Sequence, residues 1–183
     1  MALPAKTKAY LDKRLARYDA LTHKTVYTAY DLAQTLRREL HEIGKSLLIA
    51  ADRAYVIVVL PASMRVDMKK LKKSLGAKQV AIPNERVMVK VFKVKPGAIT
   101  AFGGLHKVDV LVDKSLVKGK DVILTAGNFT DSVRMRVKDF VNMERARLAD
   151  FAIKAGYTLQ QPLRSKKKTK KHPVKKQVKR KRK

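Results

Sequence analysis

Two consecutive aliphatic runs form the strongest pattern of hydrophobic and polar positions in the chain. Residues Ser46–Ala51 and Tyr55–Leu60 are apolar at nearly every position, and only Asp52–Ala54 separates them. Two such runs around a short polar turn predict a β-hairpin. Because the runs do not alternate with polar residues, we expect both strands to lie inside a sheet that is covered on both faces.

Helices are predicted where apolar residues recur at helical spacing behind a capping residue. Thr28, with Asp31 three positions later, predicts the start of a helix that reaches about Leu40. Asp67 predicts a helix that runs to Leu75 and ends at Gly76. The other predicted elements are helices over Lys6–Tyr18, from Asn84 and over Asp139–Ala155, and strands over Asp19–Thr22, Gln79–Ile82, Val108–Val112, Asp121–Thr125 and Ser132–Val137.

This mixture of helices and short strands predicts an α/β fold with a mixed, mostly antiparallel central sheet surrounded by helices. The chain has 183 residues and 45% hydrophobic residues, which suits one globular domain over residues 1–160. No apolar run approaches the roughly 18 residues that a membrane span needs, and the N-terminus lacks an apolar signal-peptide core. We therefore expect no membrane partner and a cytoplasmic location.

The charge of the chain indicates an anionic partner. It has 43 Lys and Arg against 15 Asp and Glu, a net charge of +28. Thirteen of the basic residues lie in Arg164–Lys183, so the rest of the chain still carries +15. Residues 161–183 are expected to be a disordered Lys/Arg-rich tail, because like charges repel and cannot build a core. The tail would attract phosphates of nucleic acid, although a solubilising or localisation role is the alternative. Its candidate nucleic-acid contacts are Lys166, Lys167, Lys168, Lys170, Lys171, Lys175 and Lys176.

Conventional catalytic and metal-binding motifs are scarce in this sequence. It has no cysteine, and its four histidines share no ligand-like spacing, so we expect no metal. No nucleophile elbow, P-loop or dinucleotide fingerprint is present, and no cofactor is predicted. Asp109 and Asp113 share one face of a predicted strand and are interpreted as structural or solvent-facing rather than as a catalytic pair. Patterning alone indicates a basic, nucleic-acid-associated domain.

Two features remain that the pattern of elements does not explain. Lys45 stands at the entrance of the first aliphatic run, GKSLLIA, where a charge leads directly into a buried strand. Residues 96–104, PGAITAFGG, hold three glycines and no acid, His, Ser or Cys. Small residues let backbone N–H groups approach a ligand closely. A solvated strand end and a plain surface turn are the alternatives.

Six segments together resemble the YbaK/EbsC-type aminoacyl-tRNA deacylases, which are related to the editing domain inserted in bacterial prolyl-tRNA synthetases. The similarity runs from about Tyr18 to Met143. In chain order the segments are THKTVYTAYDLAQ, GKSLLI, VVLPASMRVDMKKLKKSLGAKQV, PGAITAFGGL, VDVLVDKSL and TAGNFTDSVRMRVKDF.

The resemblance implies a trans-editing enzyme that hydrolyses the ester between a wrong amino acid and the 3′ end of tRNA. Members of this family use no metal, and their substrate is positioned by a lysine and by backbone amides. Lys45 is then the catalytic or anchoring lysine, and Gly97, Ala101 and Gly103 belong to the loop whose amides face the substrate. Mischarged tRNA, and an aminoacyl-tRNA synthetase that presents it, are the implied partners.

The resemblance also implies a set of pocket residues, which are expected to determine the size of the amino acid that the pocket accepts. They are Tyr27, Leu60, Met64, Ile99 and Phe102, with Gly127 on the opposing wall. Two positions depart from the family pattern, since relatives commonly have proline at Ala101 and a polar residue near Phe129. The rival hypothesis is a non-catalytic RNA-binding or ribosome-associated protein on the same fold.

Overall fold

The protein is described by a computed structural model that covers residues 3–93, 95 and 97–155. The helices of this part are α1 (Ala5–Lys13), α2 (Ala29–Leu36), α3 (Met68–Leu75), α4 (Glu85–Val87), α5 (Gly103–His106) and α6 (Val137–Glu144). Its strands are β1 (Asp19–Thr22), β2 (Gly44–Ala51), β3 (Ala54–Pro61), β4 (Met64–Val66), β5 (Val80–Ala81), β6 (Asp109–Asp113), β7 (Asp121–Thr125), β8 (Asp131–Arg136), β9 (Arg147–Ala149) and β10 (Ala152–Lys154). A π-helical turn over Met88–Phe92 follows α4.

The central sheet is mixed, as predicted. Its five strands lie in the order β5-β2-β3-β6-β9. The β2–β3 hairpin is antiparallel, whereas β6 runs parallel to both β3 and β9. A second, antiparallel sheet has the order β1-β8-β7, and β10 pairs with β4. This arrangement confirms the predicted α/β fold with a mixed sheet, and in the central sheet two strand pairings are antiparallel and two are parallel.

Both faces of the central hairpin are covered, which explains its unbroken aliphatic sequence. Leu48, Ile57 and Val59 pack toward the second sheet in the main core, together with Phe102 and Phe140. The alternate residues of the same strands pack on the opposite face, where Leu71 of α3 and Phe151 cover Ile49, Val58 and Leu60. Successive strand residues point to opposite faces, so a strand between two layers must be apolar throughout.

The predicted caps form as the local sequence indicates. The Thr28 side chain accepts a hydrogen bond from the Asp31 amide at the start of α2. Asp67 accepts from the amides of Lys69 and Lys70 at the start of α3, and Gly76 ends that helix in the left-handed conformation. Helix α2 is shorter than predicted, because Arg37 adopts a left-handed conformation and stops it.

The predictions for the two terminal helices are wrong in part. Helix α1 ends at Lys13 rather than at Tyr18, and Leu15, which lies within the predicted helix, is 90% exposed. Helix α6 ends at Glu144 rather than at Ala155, and the chain continues as β9 and β10. The apolar residues after Glu144 have helical spacing only by coincidence. Their segment forms strands instead, because β9 pairs with β6 and β10 pairs with β4.

The predicted boundary at residue 160 and the basic tail, with all of its candidate RNA contacts, lie outside the described residues. Among the residues described, no helix is both long and apolar enough to cross a bilayer.

Candidate active site

A cavity of about 270 Å³ lies beside the first half of β2. Strand β5 pairs with β2 only at Ala50 and Ala51, so it leaves the edge of Gly44–Leu47 uncovered, and these four residues form one wall. The segment Val26–Ala29, which leads into α2, forms a second wall. Gly97 and Ile99 of the glycine-rich loop, and Asn128 and Phe129 after β7, close the remaining sides.

A larger groove of about 720 Å³ lies between the segment after α1, strand β8 and helix α6, but none of its described lining residues is a predicted site residue. Its walls carry both signs of charge, including Arg14, Arg17, Asp19 and Asp121. The smaller cavity, which brings predicted residues from three separate segments together, is therefore the candidate active site.

Lys45 lines the cavity at the entrance of β2, but its side chain leaves the strand on the face away from the main core. It pairs across the hairpin with Leu60, which packs in the cluster beneath α3. Its Nζ donates a hydrogen bond to the carbonyl oxygen of Met64 at 2.8 Å. Burial of the ammonium group lowers the pKa of Lys45 below its usual value. The structure thus anchors the ammonium at the end of the strand.

The glycine-rich loop presents one end to the cavity and buries the other. Gly97 is exposed at the rim with φ +82°, a left-handed conformation that favours glycine. Ile99 is buried, and its carbonyl oxygen accepts a hydrogen bond from Thr125 Oγ1 at 3.2 Å, which ties the loop to β7. Ala101 and Phe102 lie wholly inside the main core.

The two other predicted glycines lie behind the cavity wall. A Cβ atom on Gly103, at the start of α5, would collide with the carbonyl oxygen of Val108. Gly127 has φ +103°, and a Cβ atom there would lie 3.1 Å from Cγ2 of Thr100. Both positions need glycine for close packing, and neither lines the cavity.

Four of the predicted site residues therefore meet at one cavity: Lys45, Gly97, Tyr27 and Ile99. Met64 contributes a carbonyl oxygen to Lys45 but does not line the cavity. The remaining predicted positions lie in the protein interior or behind the wall; they are Leu60, Ala101, Phe102, Gly103 and Gly127. The catalytic roles of all these residues stay predictions.

Several polar residues of the cavity were not found from the sequence. Both ring nitrogens of His23 are engaged, Nδ1 with the Lys24 carbonyl oxygen at 2.9 Å and Nε2 with Ser132 Oγ at 3.0 Å. The Asn128 side-chain oxygen accepts from the amides of Thr130 and Asp131, which shapes the turn after β7. Of the polar cavity residues, only Ser46 stands out in the sequence, because it is a polar residue inside an aliphatic run.

Ser46 differs from the other polar residues near the cavity. It pairs with Val59 of the main core, so its side chain lies on the opposite face of β2 from that of Lys45. Its Oγ is buried and has no hydrogen-bond partner among the described residues. Such unpaired buried groups are uncommon in native proteins.

Asp113 lies apart from the cavity and holds the end of the chain in place. It is 2% exposed and accepts hydrogen bonds from Ser115 and from the amides of Phe151 and Ala152. Burial opposes ionisation of this carboxyl group, but the hydrogen bonds outweigh burial and lower its pKa. Asp109 on the same strand is exposed. This geometry fits a structural role for Asp113 and a solvent-facing position for Asp109.

Helix α1 supports the cavity walls from behind. The Thr7 hydroxyl donates a hydrogen bond to the Ala126 carbonyl oxygen at 2.6 Å, next to Gly127. The Tyr10 hydroxyl donates to Glu144 at 2.8 Å, and Glu144 in turn accepts from the Gly104 amide at 3.1 Å. Burial, followed by the bond to Glu144, raises the pKa of Tyr10 to about 12.

Comparison with known proteins connects this cavity to a family. The sequence profile of the aminoacyl-tRNA editing domain matches residues 23–143. The chain belongs to this family. All described residues that line the cavity fall within the matched segment, whereas α1 and Glu144 lie outside it.

Two relatives illustrate the range of proteins that carry this domain. The prolyl-tRNA editing protein ProX of Acetoanaerobium sticklandii is 26% identical over 144 residues, which cover 75% of this chain and 88% of ProX. The proline–tRNA ligase of Macrococcus caseolyticus is 28% identical over 91 residues, which cover 50% of this chain but only 16% of the ligase.

Solved structures show the same fold. The crystal structure of hypothetical protein APE2540 matches with a TM-score of 0.76 at 19% identity, over 81% of this chain and 99% of that one. A candidate trans-editing enzyme for prolyl tRNA synthetase matches with a TM-score of 0.71 at 19% identity, over 85% and 100% of the two chains. The predicted editing-domain fold is thus confirmed.

Proposed function

We propose that this protein is a freestanding aminoacyl-tRNA deacylase that hydrolyses the ester bond of mischarged tRNA. The observation that carries the proposal is one cavity, inside the family segment, lined by both Lys45 and the Gly97 end of the glycine-rich loop. One relative is named a prolyl-tRNA editing protein and another is a proline–tRNA ligase. These names support tRNA as substrate and a prolyl-tRNA synthetase as the enzyme whose errors are corrected.

The chemistry needs little beyond positioning of the ester and stabilisation of its oxyanion. An aminoacyl ester is already reactive, so fixing its carbonyl and the attacking water can supply the required acceleration. An ammonium group has three N–H donors. Met64 accepts one from Lys45, which leaves two for a substrate oxygen, either of the terminal phosphate or of the ester.

The loop contributes its backbone in this proposal. Gly97 has no side chain to cover its own peptide groups at the cavity rim, and its left-handed conformation turns the chain there. A backbone amide at this rim would face the ester carbonyl from the side opposite β2. Water is the nucleophile, and the ribose hydroxyl next to the ester assists its attack.

The lining of the cavity favours an aliphatic amino acid. Val26, Leu32, Ile43 and Ile99 supply apolar contacts around a volume of about 270 Å³. In a pocket of this kind, steric exclusion of an amino acid that is too large discriminates more strongly than the loss of one methylene contact.

The test is the release of amino acid from a panel of mischarged tRNAs by the wild-type protein and by Lys45→Ala. Removal of one oxyanion-stabilising donor costs roughly 100- to 1000-fold in rate, so we expect a loss of that order with tRNA binding retained. Lys138→Ala, an exposed lysine of α6, is the control and should keep full activity. No turnover by the wild type on any substrate would favour the non-catalytic RNA-binding protein instead.

A further inference from the structure

The rim of the cavity carries an exposed aromatic ring. Tyr27 is 69% exposed, the highest value for an aromatic residue among those described, and it lines the cavity. Its ring packs against Phe129, with ring centroids 5.0 Å apart and an angle of 55° between the ring planes. Phe129 supports one side of the Tyr27 ring and leaves the rest of it open to solvent.

The position of this ring is fixed by the backbone around it. The Val26 amide donates a hydrogen bond to the Phe129 carbonyl oxygen at 2.9 Å, and the His23 amide donates to Thr130 at the same distance. The Val26 side chain is buried directly before Tyr27, and Thr28 caps α2 directly after it. Because the ring is held before any ligand arrives, binding to it orders little additional structure.

The proposed substrate places a nucleobase at this rim, and the inference rests on the proposed function. If the aminoacyl group fills the cavity, the ribose that carries the ester lies at its mouth. The base is attached to the ribose at C1′, across the ring from the ester oxygen at C3′, so it projects away from the aminoacyl group. With the ribose at the mouth, the base lies against the rim formed by Tyr27, Phe129 and Gly97.

The charges at the mouth fit a nucleotide. Among the described residues that line the cavity there is no Asp or Glu, while Lys45 lines it and Lys24 is exposed beside the rim. A phosphodiester can approach this side without repulsion from the lining residues. Aromatic side chains bind bases by stacking, with little dependence on base identity.

We propose that Tyr27 is the stacking platform for the 3′-terminal base of the tRNA, supported from the side by Phe129. Tyr27 then binds the leaving part of the substrate and does not select the amino acid. The sequence predicts Tyr27 to be a residue of the amino-acid pocket. The proposal instead gives it a contact outside that pocket.

The test compares two synthetic RNA hairpins that carry the tRNA acceptor stem and its single-stranded 3′ end. One hairpin ends in adenosine and the other ends in an abasic nucleotide, and the affinity of each is measured by fluorescence anisotropy. Stacking of one base changes affinity by roughly 5- to 150-fold. We expect the wild type to prefer the adenosine hairpin within that range, and Tyr27→Ala to bind both hairpins as the wild type binds the abasic one.

Two matched variants separate the ring from its hydroxyl and from its surroundings. Tyr27→Phe keeps the ring and should keep the preference. Tyr30→Ala removes another exposed tyrosine that does not line the cavity, and it too should keep the preference. Melting temperatures check that each variant folds, which is expected because both tyrosine rings are largely exposed.

Each outcome decides the inference. Equal affinity of the wild type for the two hairpins, or a preference that survives Tyr27→Ala, would overturn the stacking role. Deacylation by the wild type in the same preparation shows separately whether the proposed function stands. If no mischarged tRNA is hydrolysed, the proposed function fails and the inference about its substrate fails with it.

Discussion

Replacing Asp113 by Asn tests whether this buried carboxylate is structural. One of its oxygens accepts from the Ser115 amide and hydroxyl, and the other accepts from the amides of Phe151 and Ala152. An asparagine has one acceptor oxygen, so its NH₂ group must face one of these two pairs of donors. Hydrogen bonds to charged groups are worth about 1.5–3 kcal/mol each. With partial relaxation, we expect Asp113→Asn to lower the free energy of unfolding by about 3 kcal/mol.

The assay is urea denaturation, with Asp109→Asn as the matched control. Asp109 lies four residues earlier on the same strand but is exposed, so its replacement should change the free energy of unfolding by less than about 0.5 kcal/mol. An Asp113→Asn variant as stable as Asp109→Asn would refute the structural role.

Acid titration gives a second reading of the same carboxylate. The folded-state pKa of Asp113 is lowered, so its stabilisation is fully present above the unfolded-state pKa of about 3.9 and is lost as the pH falls through the folded value. Wild-type stability should therefore fall more steeply in acid than that of Asp113→Asn.

Three further substitutions test the walls of the cavity by urea denaturation and by deacylation. Gly97→Ala puts a side chain at φ +82°, and we expect it to lower the free energy of unfolding by about 1–2 kcal/mol and to slow deacylation. Gly119→Ala is the control, because φ is negative there. Equal effects of the two substitutions would contradict backbone strain at residue 97. Ser46→Ala removes an unpaired buried hydroxyl and should leave stability unchanged or higher; a clear loss would mean that Oγ has a partner. Thr7→Val leaves the buried carbonyl of Ala126 without its donor and should cost about 1–3 kcal/mol; unchanged stability would contradict the support from α1.

Elements with local signals could be predicted from the sequence. Thr28 and Asp67 carry their caps within three residues, and Gly76 provides the left-handed stop that α3 requires. The hairpin of β2 and β3 followed from two aliphatic runs and a short turn. In each case the residues that decide the structure are neighbours in the chain.

The end of the domain could not be predicted in this way. Phe151 has the spacing of a helical face, yet its burial comes from the partners of β9 and β10 and from the bond that its amide donates to Asp113. These partners lie far away in the sequence. Helical periodicity alone cannot be distinguished from such a coincidence.

The candidate site was only partly predictable for a related reason. Gly97 and Gly103 look alike in the loop sequence, but one is exposed in a left-handed conformation and the other is packed against the Val108 carbonyl. Similarly, Lys45 and Ser46 are adjacent and lie on opposite faces of β2. Resemblance to a family located the segments, whereas the fold determined which residues of each segment reach the cavity.

The most direct measurement is single-turnover release of amino acid from mischarged tRNA, at protein concentrations that saturate the tRNA. We expect the wild-type protein to release amino acid from at least one mischarged tRNA well above the rate in buffer, and Lys45→Ala to lose this acceleration while binding the same tRNA. Equal rates of release by wild type and Lys45→Ala, or no release above that in buffer, would refute a deacylase that depends on Lys45.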